Sequence, residues 1–151
     1  MIATEEQRAT LLVLYPLFKE EVYRRRHEMI RWTAIGAGSL VAILIVLLLV
    51  PTQSRLTFGS RALLATAILL FAATFASLIL QQQRRHRQAK QTLIELEQSL
   101  GLFDDNTFTS HRPLYPDRWQ SDWKQDRSTT LSLVLLGLLA LLALIAIVFI
   151  A

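Results

Sequence analysis

The chain has 151 residues, of which 52% are hydrophobic and 19% charged, with a formal net charge of +4. It contains no cysteine, which excludes disulfides, thiolate nucleophiles, iron–sulfur ligation and cysteine zinc sites. The apolar residues are gathered into three blocks instead of recurring at a helical or strand period, which is the pattern of a membrane protein rather than of a soluble core.

Residues 1–31 form the first polar segment. Thr4 and Gln7 have the spacing of a capping box. Beyond them Leu11, Leu14, Tyr15, Phe18 and Val22 make an apolar stripe at helical spacing, with Arg8, Lys19 and Glu20 off it. Such a helix lies on a membrane surface or packs on a partner helix. Pro16 is expected to kink or divide it. After Pro16 the helix is expected to continue through Arg24, Arg25 and Arg26 into the first apolar block.

That block, residues 32–54, is 23 residues without a charge. Residues 62–83 give 22 more and residues 128–151 give 24. A helix needs about 20 apolar residues to cross the hydrocarbon layer, and only a helix satisfies its own backbone there. The transmembrane helices are placed at residues 32–50, 61–80 and 128–151. The first is not expected to be a cleaved leader, because it is too long for one and no A-x-A site follows. Pro51 ends it, and the connector 51–60 makes a tight hairpin of spans one and two. Ala34, Gly38 and Ala42 in span one, and Ala72 and Ala76 in span two, are small residues at four-residue spacing. They are expected to pack the hairpin, with contact to another subunit as the alternative.

Residues 81–127 form the second polar segment. No Gly or Pro interrupts residues 81–100, so span two is expected to continue as a helical stalk. Ala89, Leu93, Leu96 and Leu100 are spaced four, three and four, a coiled-coil seam of two heptads. This seam packs on the N-terminal helix of the same chain or joins copies of the chain, and both hold if the subunits form a cytoplasmic helical bundle. Gly101 is placed to cap the stalk. Asp104, Asp105, Asn106, Ser110, Pro113 and Pro116 mark an irregular stretch. A short helix follows Pro116, with Trp119 and Trp123 on one face. These two indoles and Trp32 are read as anchors at headgroup level. Span three is mostly leucine, with Gly137 its only glycine, and reads as an anchor or packing element.

Lysine and arginine set the orientation. Six lie in residues 1–31, eight in residues 81–127, and two, Arg55 and Arg61, beside the connector. Both polar segments are therefore expected in the cytoplasm and the C-terminus on the far side of the cell (inner) membrane. Arg24, Arg25, Arg26, Arg84 and Arg85 fall where anionic headgroups would meet them; topology determination is the plain reading and specific lipid binding the alternative.

The layout of amphipathic helix, two-span hairpin and cytoplasmic helix resembles the two-span effector modules of bacterial nucleotide-triggered defence systems. The resemblance covers about the first 100 residues, is architectural, and implies an oligomeric pore or a membrane-disrupting effector. The third span departs from it.

Chemistry is sparse. The apolar runs 32–54, 62–83 and 128–151 carry no ionisable side chain, which argues against an ion-coupled transporter. Their Ser and Thr hydroxyls are expected to bond back to their own helices. His27 and His86 sit among arginines, and His111 lies near Asp104 and Asp105. A loop histidine is usually solvent-facing, so an acid–base or metal role for His111 is the minor reading. No phosphate loop or nucleophile elbow occurs. The sequence thus leads to an all-α membrane protein with three transmembrane helices and helical cytoplasmic extensions before span one and after span two. It is expected to be a non-enzymatic scaffold or accessory subunit, with no cofactor, metal or nucleic acid, and the sequence identifies no small-molecule substrate. Its expected partners are the bilayer and copies of itself or other membrane subunits.

Overall fold

A computed structural model describes residues 5–49, 57–105, 112–120 and 127–150. Among them the regular elements are all helical: α1 (Glu5–Leu49), α2 (Phe58–Ser99), a single 3-10 turn (Asp117–Gln120) and α3 (Arg127–Ile150). Three helices are long and apolar enough to cross a membrane. Thr4, Pro51, His111 and Trp123, each assigned a role above, lie outside the described residues.

α1 holds 45 residues, about 67 Å at the usual helical rise. Of the two outcomes expected at Pro16, a kink or a division, the division does not occur. Proline removes one helical bond, to the carbonyl four residues back. Pro16 and Leu12 both lie on the exposed side of α1, where solvent can meet that carbonyl. Thr57 caps the start of α2: its hydroxyl accepts from the Ser60 amide at 3.4 Å, while its carbonyl accepts the first helical bond from Arg61 at 3.1 Å. α2 ends as expected at Gly101, which has φ 73°. The Leu102 amide donates to the Glu97 carbonyl at 3.1 Å and the Gly101 amide to the Gln98 carbonyl at 3.0 Å. This Schellman pair satisfies carbonyls that the helix end would otherwise leave bare.

The chain divides into two compact units. Unit 1 is Met1–His27 with Gln82–Asp126, and unit 2 is Glu28–Gln81 with Arg127–Ala151. Unit 2 is the apolar one. Leu40 and Leu47 of α1, Ile68 and Ile79 of α2, and Leu136, Ala140, Ala143, Ala146 and Ile147 of α3 form its core. The outward side is apolar as well: Leu49 is 76% exposed and Phe149 84%. A surface this greasy suits hydrocarbon rather than water. The hydroxyls of Thr33, Thr66 and Thr74 donate to carbonyls four residues back at 2.8–2.9 Å, so they need no solvent.

The expected small-residue contact is displaced in unit 2. Ala34, Gly38 and Ala42 are exposed, and nothing lies within 4 Å of a methyl placed on Gly38. The close approach is at Gly36, where a methyl would sit 2.7 Å from Phe75 Cδ1 and 3.2 Å from Leu136 Cδ2. Phe75 stacks on Phe71 at 4.6 Å and meets the edge of Trp32 at 6.2 Å. Ala72 packs on the core and Ala76 is partly buried. α3 supplies the small face the sequence reading missed. Leu136, Ala140, Ala143 and Ile147 are buried at spacings of four, three and four, the seam of helices packed at a shallow angle.

Candidate functional site

Unit 1 is built on two antiparallel helical segments. On α1 the partly buried positions are Leu11, Tyr15, Phe18, Glu21, Val22 and Arg25, while Leu14 is exposed. On α2 His86, Leu93, Ile94, Leu96, Glu97 and Leu100 are buried, and Gln82, Gln83, Ala89 and Lys90 partly covered. Within the chain the stalk runs beside α1: Tyr15 near the start of α1 bonds to Glu97 near the end of α2. Tyr15, not Leu14, is the member of the α1 stripe that makes this contact.

The segment after α2 folds back over this end. The Tyr115 amide donates to the Leu102 carbonyl at 3.0 Å. The Tyr115 ring meets Phe103 edge-on at 5.9 Å and Trp119 at 5.1 Å. The 3-10 turn starts from the Pro116 carbonyl, which accepts from the Trp119 amide at 2.9 Å. Gln98 donates to the Gln120 side chain at 2.9 Å and ties the turn to α2. Trp119 therefore packs within unit 1 while remaining 47% exposed. Trp32 is in unit 2, partly buried.

Three polar groups link in series. The Tyr115 and Tyr15 hydroxyls are 2.8 Å apart, and the Tyr15 hydroxyl donates to Glu97 Oε1 at 3.3 Å. Because Tyr15 gives its proton to Glu97, Tyr115 is the donor to Tyr15. Burial pushes the Tyr15 hydroxyl far above the tyrosine range, helped by the Tyr115 bond and the Glu97 charge. It therefore stays protonated and remains a donor. Burial also raises the Glu97 carboxyl above its ordinary value, against the opposing pull of the Tyr15 bond and of Lys19 and Lys90. The Lys19 ammonium lies 5.7 Å from the Tyr15 ring centre.

Beside this chain of hydroxyls lies a cleft of about 650 Å³. Tyr15, Lys19, Val22, Tyr23 and Arg26 line it from α1. His86, Arg87, Lys90, Leu93, Ile94 and Glu97 line it from α2, and Tyr115 and Trp119 close one end. The lining thus combines four Lys and Arg side chains, one carboxylate, an apolar floor and four aromatic rings. Sequence reasoning noted several of these residues separately, as stripe, cluster or anchor. It missed the cleft, because nothing local to the sequence pairs residue 15 with residues 97 and 115.

The other arginines are placed differently. Glu21 pairs with both Arg24 and Arg25, the latter at 2.7 Å, and Glu28 is 3.8 Å from Arg31. Arg84 and Arg85 are exposed. Among the described residues Arg26 and Arg87 have no carboxylate within ion-pair distance. No group of three His, Asp or Glu among the described residues could hold a metal ion. Comparison of the chain with family models, with curated proteins and with solved structures finds no match.

Proposed function

We propose that this chain is a multi-pass protein of the inner membrane that works without catalysis, as a scaffold or accessory subunit of a membrane complex acting through unit 1. The observation that carries the reading is the cleft. It is a formed recess of ligand size, lined by cations, rings and an apolar floor, a lining suited to binding. The helices that build it, α1 and α2, are the same ones that run unbroken into the apolar stretches. The placing of unit 1 in the cytoplasm rests on Lys and Arg, fourteen of sixteen being in residues 1–31 and 81–127.

Purification in mild detergent followed by mass measurement of the intact complex tests this. The proposal expects a mass above one chain, from further copies or from a stoichiometric second subunit. A bare monomer under conditions that keep other native complexes whole would end it. A second reading, an oligomeric pore or membrane-disrupting effector, is favoured by the uncovered small-residue face of Ala34, Gly38 and Ala42. It predicts a homo-oligomer by mass and depolarisation of cells on expression; unchanged membrane potential would remove it.

A further inference from the structure

We infer that the cleft of unit 1 binds an anion carrying two or more phosphate charges joined to an apolar or aromatic body. The charge count favours this class. Lys19, Arg26, Arg87 and Lys90 bring four positive charges to the lining, and Glu97 brings one negative. The excess of three is more than a single carboxylate offsets, whereas a diphosphate matches it. Lys19 and Lys90 are drawn to Glu97 electrostatically, which leaves Arg26 and Arg87 as the pair with no carboxylate among the described residues. Arginine grips phosphate oxygens through two parallel bonds, which a lysine cannot do.

The lining is also polarised along its length. Arg26 is eleven residues beyond Tyr15 on α1, and Arg87 is ten residues before Glu97 on α2. At the helical rise this separates the arginine end from the Tyr15–Glu97 end by about 15 Å. Val22, Leu93 and Ile94 floor the cleft, and Trp119 stacks with Tyr115 at the far end. A ligand with its phosphates at the arginines would lay an apolar or flat body along that floor toward the rings. Two sources have this chemistry: a free nucleoside diphosphate, and a lipid whose headgroup carries two phosphates. The inference rests on unit 1 being the binding part of the chain. Its failure is separable from failure of the proposed function, because the mass of the complex is measured without any ligand.

The test uses the full chain in nanodiscs of phosphatidylcholine. In one arm ADP is titrated in by calorimetry; in the other, cardiolipin replaces part of the phosphatidylcholine and retention of cardiolipin by the protein is counted. Succinate serves as a dicarboxylate control. Saturable binding in either arm is expected, weakening as salt rises. Arg26→Gln and Arg87→Gln should each weaken it by about tenfold or more. Arg24→Gln, whose side chain pairs with Glu21 and does not line the cleft, should leave it unchanged. Arg87→Lys keeps the charge and guards against a folding defect; it should bind better than Arg87→Gln but below wild type. Binding of ADP alone assigns a soluble ligand, of cardiolipin alone a lipid, and of both a site that reads the shared phosphates. Absence of binding in both arms, equal binding of succinate, or indifference to both arginines would overturn the inference.

Discussion

The hydroxyl of Tyr15 donates to the carboxylate of Glu97 at 3.3 Å, although the two residues are 82 positions apart in the chain. This bond, with Tyr115 as donor to Tyr15, joins α1, α2 and the returning segment at one end of unit 1. Replacing Tyr15 by Phe removes the middle member and leaves the Glu97 carboxylate, 9% exposed, without that donor. A buried polar group left unmatched costs about 1–3 kcal/mol. Amide exchange over residues 93–100 should accelerate by about tenfold to a hundredfold in Tyr15→Phe, with residues 62–80 unaffected. Unchanged exchange at residues 93–100 would mean the bond contributes nothing.

Glu97 gives a pH dependence of definite sign. Its carboxyl is raised above its ordinary value of 4.5 because burial outweighs the Tyr15 bond and the Lys19 and Lys90 charges. A folded state with a raised carboxyl pKa holds that proton more tightly than the unfolded chain does. Its contribution is full below the unfolded value and is lost as pH rises through the folded value. The thermal midpoint of wild type relative to Glu97→Gln should therefore fall as pH climbs above about 4.5. Parallel curves for the two proteins would contradict this account of Glu97.

In unit 2 two glycines separated by one residue make opposite predictions. Gly36→Ala drives a methyl into the Phe75 ring, 2.7 Å from Cδ1 and 2.9 Å from Cγ. Those atoms are near the root of a stacked ring and yield little, so a loss of about 1–3 kcal/mol is expected. Gly38→Ala meets nothing within 4 Å and gains helix propensity of up to about 1 kcal/mol. Resistance to unfolding in mixed micelles should drop for the first and hold or rise for the second. Equal losses would mean that another chain covers the Gly38 face.

How much of this was legible beforehand depended on the range of the interaction. The three apolar blocks, the run of α2 through residue 99 and the cap at Gly101 follow from composition and local breakers. Pro16 does not divide α1, because the rule concerns one lost bond and an exposed helix face tolerates that loss. The stripe Ala34, Gly38 and Ala42 is exposed within the chain, which leaves contact with another subunit open; Gly36, on the buried side, has no partner at four-residue spacing to announce it. Ala140, Ala143 and Ala146 were hidden in the stretch 133–151, where every residue is apolar. The contact of the Trp119 ring with Tyr115, four residues before it, was not legible from its neighbourhood in sequence. The cleft needed three distant segments brought together, and no periodicity encodes that.

The account stands most directly on unit 1 facing the cytoplasm while the chain crosses the membrane three times. Because the chain has no cysteine, single-cysteine labelling reads this cleanly. Thr10→Cys and Ser99→Cys lie at exposed positions of unit 1, and Thr57→Cys at an exposed position before α2. In intact cells a membrane-impermeant maleimide should label Thr57→Cys and spare the other two, which should react only after permeabilisation. Labelling of Thr10→Cys or Ser99→Cys from outside, or protection of Thr57→Cys, would contradict it.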